Sequence, residues 1–149
     1  MKLLTTLFTL VMLFMPFNAQ AFNWYKNNNF DQAKMTLNNL ISEYESKNLL
    51  RMMDYVSESY TTDKSIFEDS IRNEFSDCAF IEMRYYIYKI LPDSRNKNIL
   101  ITITYIKRVQ NRSTANLTVT NGTSDLIFKK EDGKYLLWKM QPKFMGKNN

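Results

Sequence analysis

Histidine is absent from all 149 residues, and the chain holds one cysteine, three glycines and three prolines. Without histidine, Ser-His-Asp and Cys-His nucleophile systems are excluded in their usual forms. Zinc sites built on histidine or on paired cysteines are excluded as well. Three scattered glycines (Gly122, Gly133 and Gly146) cannot form a Gly-rich phosphate loop. No spaced acidic loop of the calcium-binding type occurs. A single cysteine, Cys78, cannot make an internal disulfide, and its expected role is a small buried apolar residue. The carboxylate pairs Glu68-Asp69 and Glu131-Asp132 are sequence neighbours whose side chains diverge, so they read as solvated surface pairs rather than acid/base couples.

What is present begins with an export pattern. Met1 and Lys2 make a short positive start, and Leu3 to Phe17 follow as an apolar run interrupted only by Thr5, Thr6, Thr9 and Pro16. Asn18-Ala19-Gln20-Ala21 then puts small residues at the two positions a signal peptidase reads. The run is short of the ~20 apolar residues a spanning helix needs. A cleaved signal peptide over 1–21 is therefore expected, with the cut before Phe22, and a single mature domain over 22–149. This implies a periplasmic or secreted location and no integral membrane segment after cleavage. The formal charge is +5, and Lys2 is the only charged residue of the first 21. Lysines and arginines are spread rather than clustered, which speaks against a nucleic-acid partner.

Two periods organise the mature chain. Phe30, Ala33, Leu37, Leu40, Ile41 and Tyr44 recur at helical spacing. Asn48 reads as the N-cap of a second helix carrying Leu49, Met52, Met53, Val56 and Tyr60. Ser65-Ile66-Phe67-Glu68 reads as the capping box of a third, with Phe67, Ile71 and Phe75 inward. From about Ala79 the period becomes two. Strands are expected near 79–91 and 98–110, the latter with Ile99, Ile101, Ile103 and Tyr105 on one face. A third strand should turn Ala115, Leu117 and Val119 inward, kink at Asn121-Gly122 and resume at Leu126. Asp132-Gly133 is a hairpin signal leading to a last strand with Leu136, Trp138 and Met140 inward. The fold class is α+β, three N-terminal helices packed on a curved four-stranded antiparallel sheet.

That layout, from about Phe30 to Gly146, resembles the NTF2-like (SnoaL-like, cystatin-related) superfamily. The resemblance is carried by Leu40-Ile41-Ser42-Glu43-Tyr44-Glu45-Ser46-Lys47-Asn48 at the first helix break, by Tyr60-Thr61-Thr62-Asp63 where the second helix ends, and by Asp132-Gly133-Lys134-Tyr135-Leu136-Leu137-Trp138 at the last hairpin. It implies a sheet wrapped around helices into a cone with a pocket. It also implies a choice between isomerase, dehydratase or cyclase chemistry and ligand or protein binding without catalysis. Family enzymes place an Asp or His with a Tyr in the cone. Here histidine is missing and no Asp matches such a position, so no catalytic residue, metal or cofactor is carried over.

The rings Tyr44, Tyr85, Tyr105 and Trp138 are candidates to line a pocket for a small apolar ligand; core packing is the alternative for aromatics at these periods. Tyr86 and Tyr88 fall with Glu82 and Arg84 on the opposite face of the first strand. With Ile90 they would make an apolar band that fits a protein interface, either with an envelope protein or with a second copy as a homodimer. Together these features favour an exported, non-catalytic binding domain, of accessory or immunity type in one form. The rival is a small isomerase or dehydratase using a Tyr and a carboxylate such as Glu82, which would have to face an open pocket with a raised pKa.

Overall fold

The apolar spacing that begins at Ala33 resolves into the buried stripe of helix α1 (Phe17–Glu45) in a computed structural model describing residues 17–93 and 97–147. The chain falls into two compact units, 1–31 and 32–149, and the second holds the entire sheet. Most of the expected signal segment, residues 1–16, lies outside the described residues. Among the described residues no helix is long and apolar enough to cross a membrane. The Asn-rich stretch 27–29, just ahead of the first apolar position Phe30, is itself helical. Asparagine costs only tenths of a kcal/mol per helical residue, so it does not stop a helix that is already propagating.

Ala33, Leu37, Leu40, Ile41 and Tyr44 are all buried, and Thr36 Oγ1 donates to the Tyr135 carbonyl at 2.8 Å. The helix ends where Lys47 turns left-handed (φ 56). Asn48 N–H then donates to Glu43 O at 2.9 Å and Lys47 N–H to Tyr44 O at 3.1 Å, the paired bonds of a Schellman termination. Asn48 caps α2 (Leu49–Met53) as expected, its side chain accepting from Arg51 N–H.

Helix α2 stops well before Tyr60. The chain instead lays Val56 parallel beside Leu137, with Ser57 N–H donating to Leu137 O at 2.9 Å and Leu137 N–H to Tyr55 O at 2.8 Å. A free sheet edge offers these backbone groups partners that a short helix end leaves unmet. Val56 and Tyr60 remain buried, so the spacing reported their burial but not their conformation. Helix α3 (Lys64–Asp77) is capped by Asp63, whose carboxylate accepts from Ser65 N–H at 2.8 Å and Ser65 Oγ at 2.7 Å. The expected capping box at Ser65 thus lies inside the first turn.

The sheet is a four-stranded antiparallel meander in the order β1 (Cys78–Asp93), β2 (Asn98–Asn111), β3 (Leu117–Glu131), β4 (Lys134–Gln141). The three helices pack on the face that carries Ile81, Met83, Ile99, Ile101, Ile103, Leu126 and Phe128, all buried. Irregularities interrupt the ladders after Cys78, after Ile87 and between Ile127 and Phe128, and each extra residue bends its strand. On β4 the extra residue is Trp138, since Leu137 faces Phe128 and Lys139 faces Ile127. Parity therefore flips along the strand. Tyr135 and Leu137 are buried before the bulge and Met140 after it, rather than Leu136, Trp138 and Met140 in one series.

Strand β3 departs further from expectation. Its pairing with β2 runs without a shift from Leu117 to Phe128, so Asn121-Gly122 is not a kink. Gly122 sits opposite Tyr105 instead, and a Cβ there would lie 3.1 Å from the tyrosine hydroxyl. Leu117 and Val119 face Gln110 and Arg108 and are 55% and 53% exposed. The reason is the longer turn before the strand. Asn111 Oδ1 accepts from Ser113 and Thr114 N–H, and Ala115 is left-handed (φ 56), so pairing starts only at Leu117.

Asp132 (φ 46) and Gly133 (φ 81) are both left-handed, as a two-residue type I′ hairpin requires. No atom lies within 4 Å of where a Gly133 Cβ would be. Gly133→Ala therefore meets only the backbone penalty, and denaturant titration should show a loss of about 1 kcal/mol.

Candidate functional site

The concave face of the sheet is where a pocket would lie, and a charged pair occupies its middle. Helix α3 brings Glu74 onto the same stripe as Phe67, Ser70, Ile71 and Phe75, while β2 brings Lys107 inward in phase with Ile101 and Ile103. Lys107 Nζ lies 2.5 Å from Glu74 Oε1, with the side chains 9% and 12% exposed. Lys107 also donates to Phe144 O at 2.8 Å and sits 5.4 Å from the centre of the Tyr44 ring. Glu74 Oε2 accepts from Tyr44 Oη at 2.6 Å and from Gly146 N–H at 2.7 Å. Both carboxylate oxygens and two of the ammonium's three N–H groups are thereby hydrogen-bonded. That is the condition under which two charges are tolerated away from water.

Residues 142–147, after β4, complete this arrangement. Ser124 Oγ donates to Pro142 O, Lys147 N–H to Ser70 O, and Lys147 Nζ pairs with Asp77. Phe144 and Met145 are buried, and the Phe144 ring packs on Tyr105 with centroids 4.6 Å apart. Gly146 is left-handed (φ 84), and a Cβ there would run into Ser70 Oγ, so this crossing admits glycine alone. Burying Phe144 and Met145 is worth about 1.5–3 kcal/mol each.

Of the four candidate rings, Tyr85 and Tyr105 line one opening together, while Tyr44 and Trp138 lie elsewhere. Tyr44 is wholly buried in the Glu74–Lys107 network and tilted against Phe75 at 5.5 Å. Burial first, and then the charge of Glu74, push its hydroxyl well above the ordinary tyrosine pKa. Tyr85 and Tyr105 face each other across β1 and β2, both half-buried. Tyr85 donates to Asn38, and burial raises its pKa with help from Glu45. Trp138 sits on the β4 bulge, its carbonyl accepting from Thr61 N–H at 3.0 Å. Tyr86 and Tyr88 are 70% and 71% exposed, Tyr86 opposite Thr104 and Tyr88 at the β1 irregularity.

Glu82 lies on the outer face. It accepts from Arg84 Nε at 3.0 Å and from Arg108 at 3.3 Å, and the Arg84 bond, reinforced by Arg108, holds its carboxyl below the usual range. The general base suggested for this residue needs the opposite shift. Cys78 is buried and its thiol is pushed up, first by burial, so it is a packing residue rather than a nucleophile. Among the described residues no group of His, Cys, Asp or Glu could hold a metal ion.

Openings are found among the described residues. One of about 650 Å³ lies by Met35, Tyr55 and Tyr135, and one of about 430 Å³ lies beside the ion pair, by Asp77, Thr118 and Thr120. A shallow groove of about 420 Å³ on the sheet is lined by Tyr85 and Tyr105, two of the candidate rings, with Arg84, Tyr86, Thr104 and Ile106. Glu74 and Lys107 were not among the expected site residues, yet period alone could have found them. Glu74 is seven residues after Phe67, on the apolar stripe, and Lys107 continues the inward series of β2.

The architecture matches solved structures of NTF2-like proteins. A conserved protein from Planctomyces limnophilus aligns with a TM-score of 0.64 at 11% identity, over 72% of this chain and 88% of that one. A ketosteroid isomerase-like protein from Erwinia carotovora atroseptica gives 0.62 at 10% identity, over 72% and 89%. An NTF-2 like protein of unknown function from Shewanella oneidensis gives 0.57 at 12% identity, over 74% and 95%. The fold is NTF2-like. No protein-family model matches the chain, and no curated protein matches it.

Removing one member of the buried pair strands the other. Glu74→Leu and Lys107→Met should each cost about 3–5 kcal/mol, and the double variant markedly less than their sum. Equal additive losses in a double-mutant cycle would contradict the pairing.

Proposed function

We propose that this chain is an exported, non-catalytic NTF2-like domain that binds a protein partner through the outer face of its sheet. The observation that carries the reading is the distribution of its groups. The inward carboxylate is spent on Lys107, Tyr44 and Gly146, and the cone is occupied by Phe144 and Met145. Large apolar side chains meanwhile stand uncovered outside: Tyr86, Ile106 and Phe80 are all exposed. Tyr86 and Ile106 are diagonal neighbours across β1 and β2, since Tyr86 faces Thr104 and Arg84 faces Ile106. Arg84 and Arg108 flank them against a single acid, Glu82. Tyrosine and arginine around an apolar centre are what protein interfaces enrich. The excess of positive charge, on a chain whose formal +5 falls to +4 once Lys2 is cleaved away, fits a partner with an acidic rim.

Export rests on the signal pattern of 1–21 and makes the partner an envelope or extracellular protein, as for an accessory or immunity-type domain. A small apolar ligand is the weaker reading, because it must compete with the chain's own Phe144 and Met145.

The protein recovered from an envelope fraction should begin at Phe22 and carry a bound protein. Combining Tyr86→Ser with Ile106→Ser should weaken retention by roughly tenfold or more, as loss of a hot-spot ring does. A control away from the sheet, the exposed Arg51→Ser on α2, should not. Retention indifferent to the double variant, or a bound apolar compound in place of a protein, would contradict the proposal.

A further inference from the structure

The two long edges of the sheet are treated differently. The outer edge of β1 is blunted in several ways. Glu45 Oε1 accepts from Met83 N–H at 2.6 Å, and Lys47 Nζ donates to Cys78 O and Ala79 O. Further along come the irregularity at Tyr88 and then Pro92. Bulges, charges and proline are the ordinary means by which an exposed edge is kept from pairing with another strand.

The edge of β3 has none of these over residues 117–124. Strand β4 reaches back only to Asp125, which faces Gln141, whereas β2 pairs with β3 all the way to Leu117. Among the described residues no strand covers the other side of 117–124. The segment after β4 does not lie along it either, because beyond the bond from Ser124 to Pro142 it turns inward to place Phe144 on Tyr105. The stretch reads Leu117-Thr118-Val119-Thr120-Asn121-Gly122-Thr123-Ser124, with no charge, no proline and no shift in its pairing with β2. Four of its residues are β-branched, and residues 117–121 are exposed on both faces.

We infer that residues 117–124 pair antiparallel with the same residues of a second copy of this chain, joining two sheets into one of eight strands. Such a pair is its own symmetry mate, so a single two-fold axis through the segment satisfies both copies. The stretch carries no charge to oppose itself, and the nearest basic groups on β2 are already partnered, Lys107 by Glu74 and Arg108 by Glu82. With the axis through Thr120, Val119 of each copy faces Asn121 of the other and Leu117 faces Thr123 on the outer face, while the two Thr120 side chains meet on the inner face. Cross-strand contacts between β-branched and polar side chains of this kind are favourable. The inference is independent of the partner-binding face at Tyr86 and Ile106, which the dimer would display twice.

Light scattering on the full chain across a concentration series should give twice the monomer mass. Backbone amides within 117–124 should gain protection from hydrogen exchange as concentration rises. Val119→Lys with Asn121→Lys, both at exposed positions, should weaken the dimer roughly tenfold or more by setting lysines against each other. Circular dichroism should be unchanged, which separates lost association from lost folding. A monomer at every concentration, or a dimer indifferent to the two lysines, overturns the inference. So does protection of 117–124 that appears only when a foreign protein is added, since the edge would then serve another chain's strand. None of these outcomes touches the Tyr86 and Ile106 result.

Discussion

The ion pair between Glu74 and Lys107 is the constraint around which the rest of the domain is arranged. One member comes from helix α3 and the other from the middle of the sheet, so the pair ties the two layers together at their centre. Two charges so nearly removed from water demand further partners, and the chain supplies them from its own end: the Phe144 carbonyl for the lysine and the Gly146 N–H for the carboxylate. Tyr44 of α1 supplies the last. A pair of this kind contributes little net stability compared with well-packed apolar groups. What it fixes is arrangement. Residues 142–147 can lie only where those bonds are made, and Gly146 is the residue that lets the backbone pass Ser70.

This has a direct bearing on function. A cone that catalyses needs a carboxylate with a lone pair to spare and room for a substrate beside it. Here the inward carboxylate is committed on both oxygens, to Lys107, Tyr44 and Gly146, and an opening of about 430 Å³ lies beside it. The surface chemistry runs the other way. Exposed tyrosine, isoleucine and arginine side chains lie on the outer sheet face, and an unblunted edge lies beside them.

Much of the fold was legible in the sequence because period is a direct record of burial. The inward faces of α1, α3 and β2 follow from spacing alone, as does that of β1 up to Ile87, and Asp132-Gly133 announces its hairpin by residue type. Beyond Ile87 the extra residue at Tyr88 turns Ile90, expected beside Tyr86 and Tyr88, to the face of Ile101. What escaped were the places where one backbone choice shifts everything after it. The turn before β3 takes five residues, so Leu117 and Val119 exchange faces with their neighbours. A single extra residue at Trp138 flips the parity of β4. Helix α2 gives way because a sheet edge competes for its backbone, something no local pattern records. The site was legible in principle, since a charge in phase with an apolar stripe, as Glu74 is with Phe67 and Ile71, announces a buried partner. The aromatic candidates drew attention instead, because rings signal pockets and cores alike.

The account stands on residues 142–147 being part of the core rather than a loose tail, and hydrogen exchange of the Gly146 and Lys147 amides measures that most directly. Both amides are bonded into the network, to Glu74 Oε2 and Ser70 O. The account predicts that they exchange only with global unfolding, alongside the amides of β2, at every denaturant concentration. Exchange through a separate, low-energy opening while β2 stays protected would contradict it, and would leave the cone free to take a ligand.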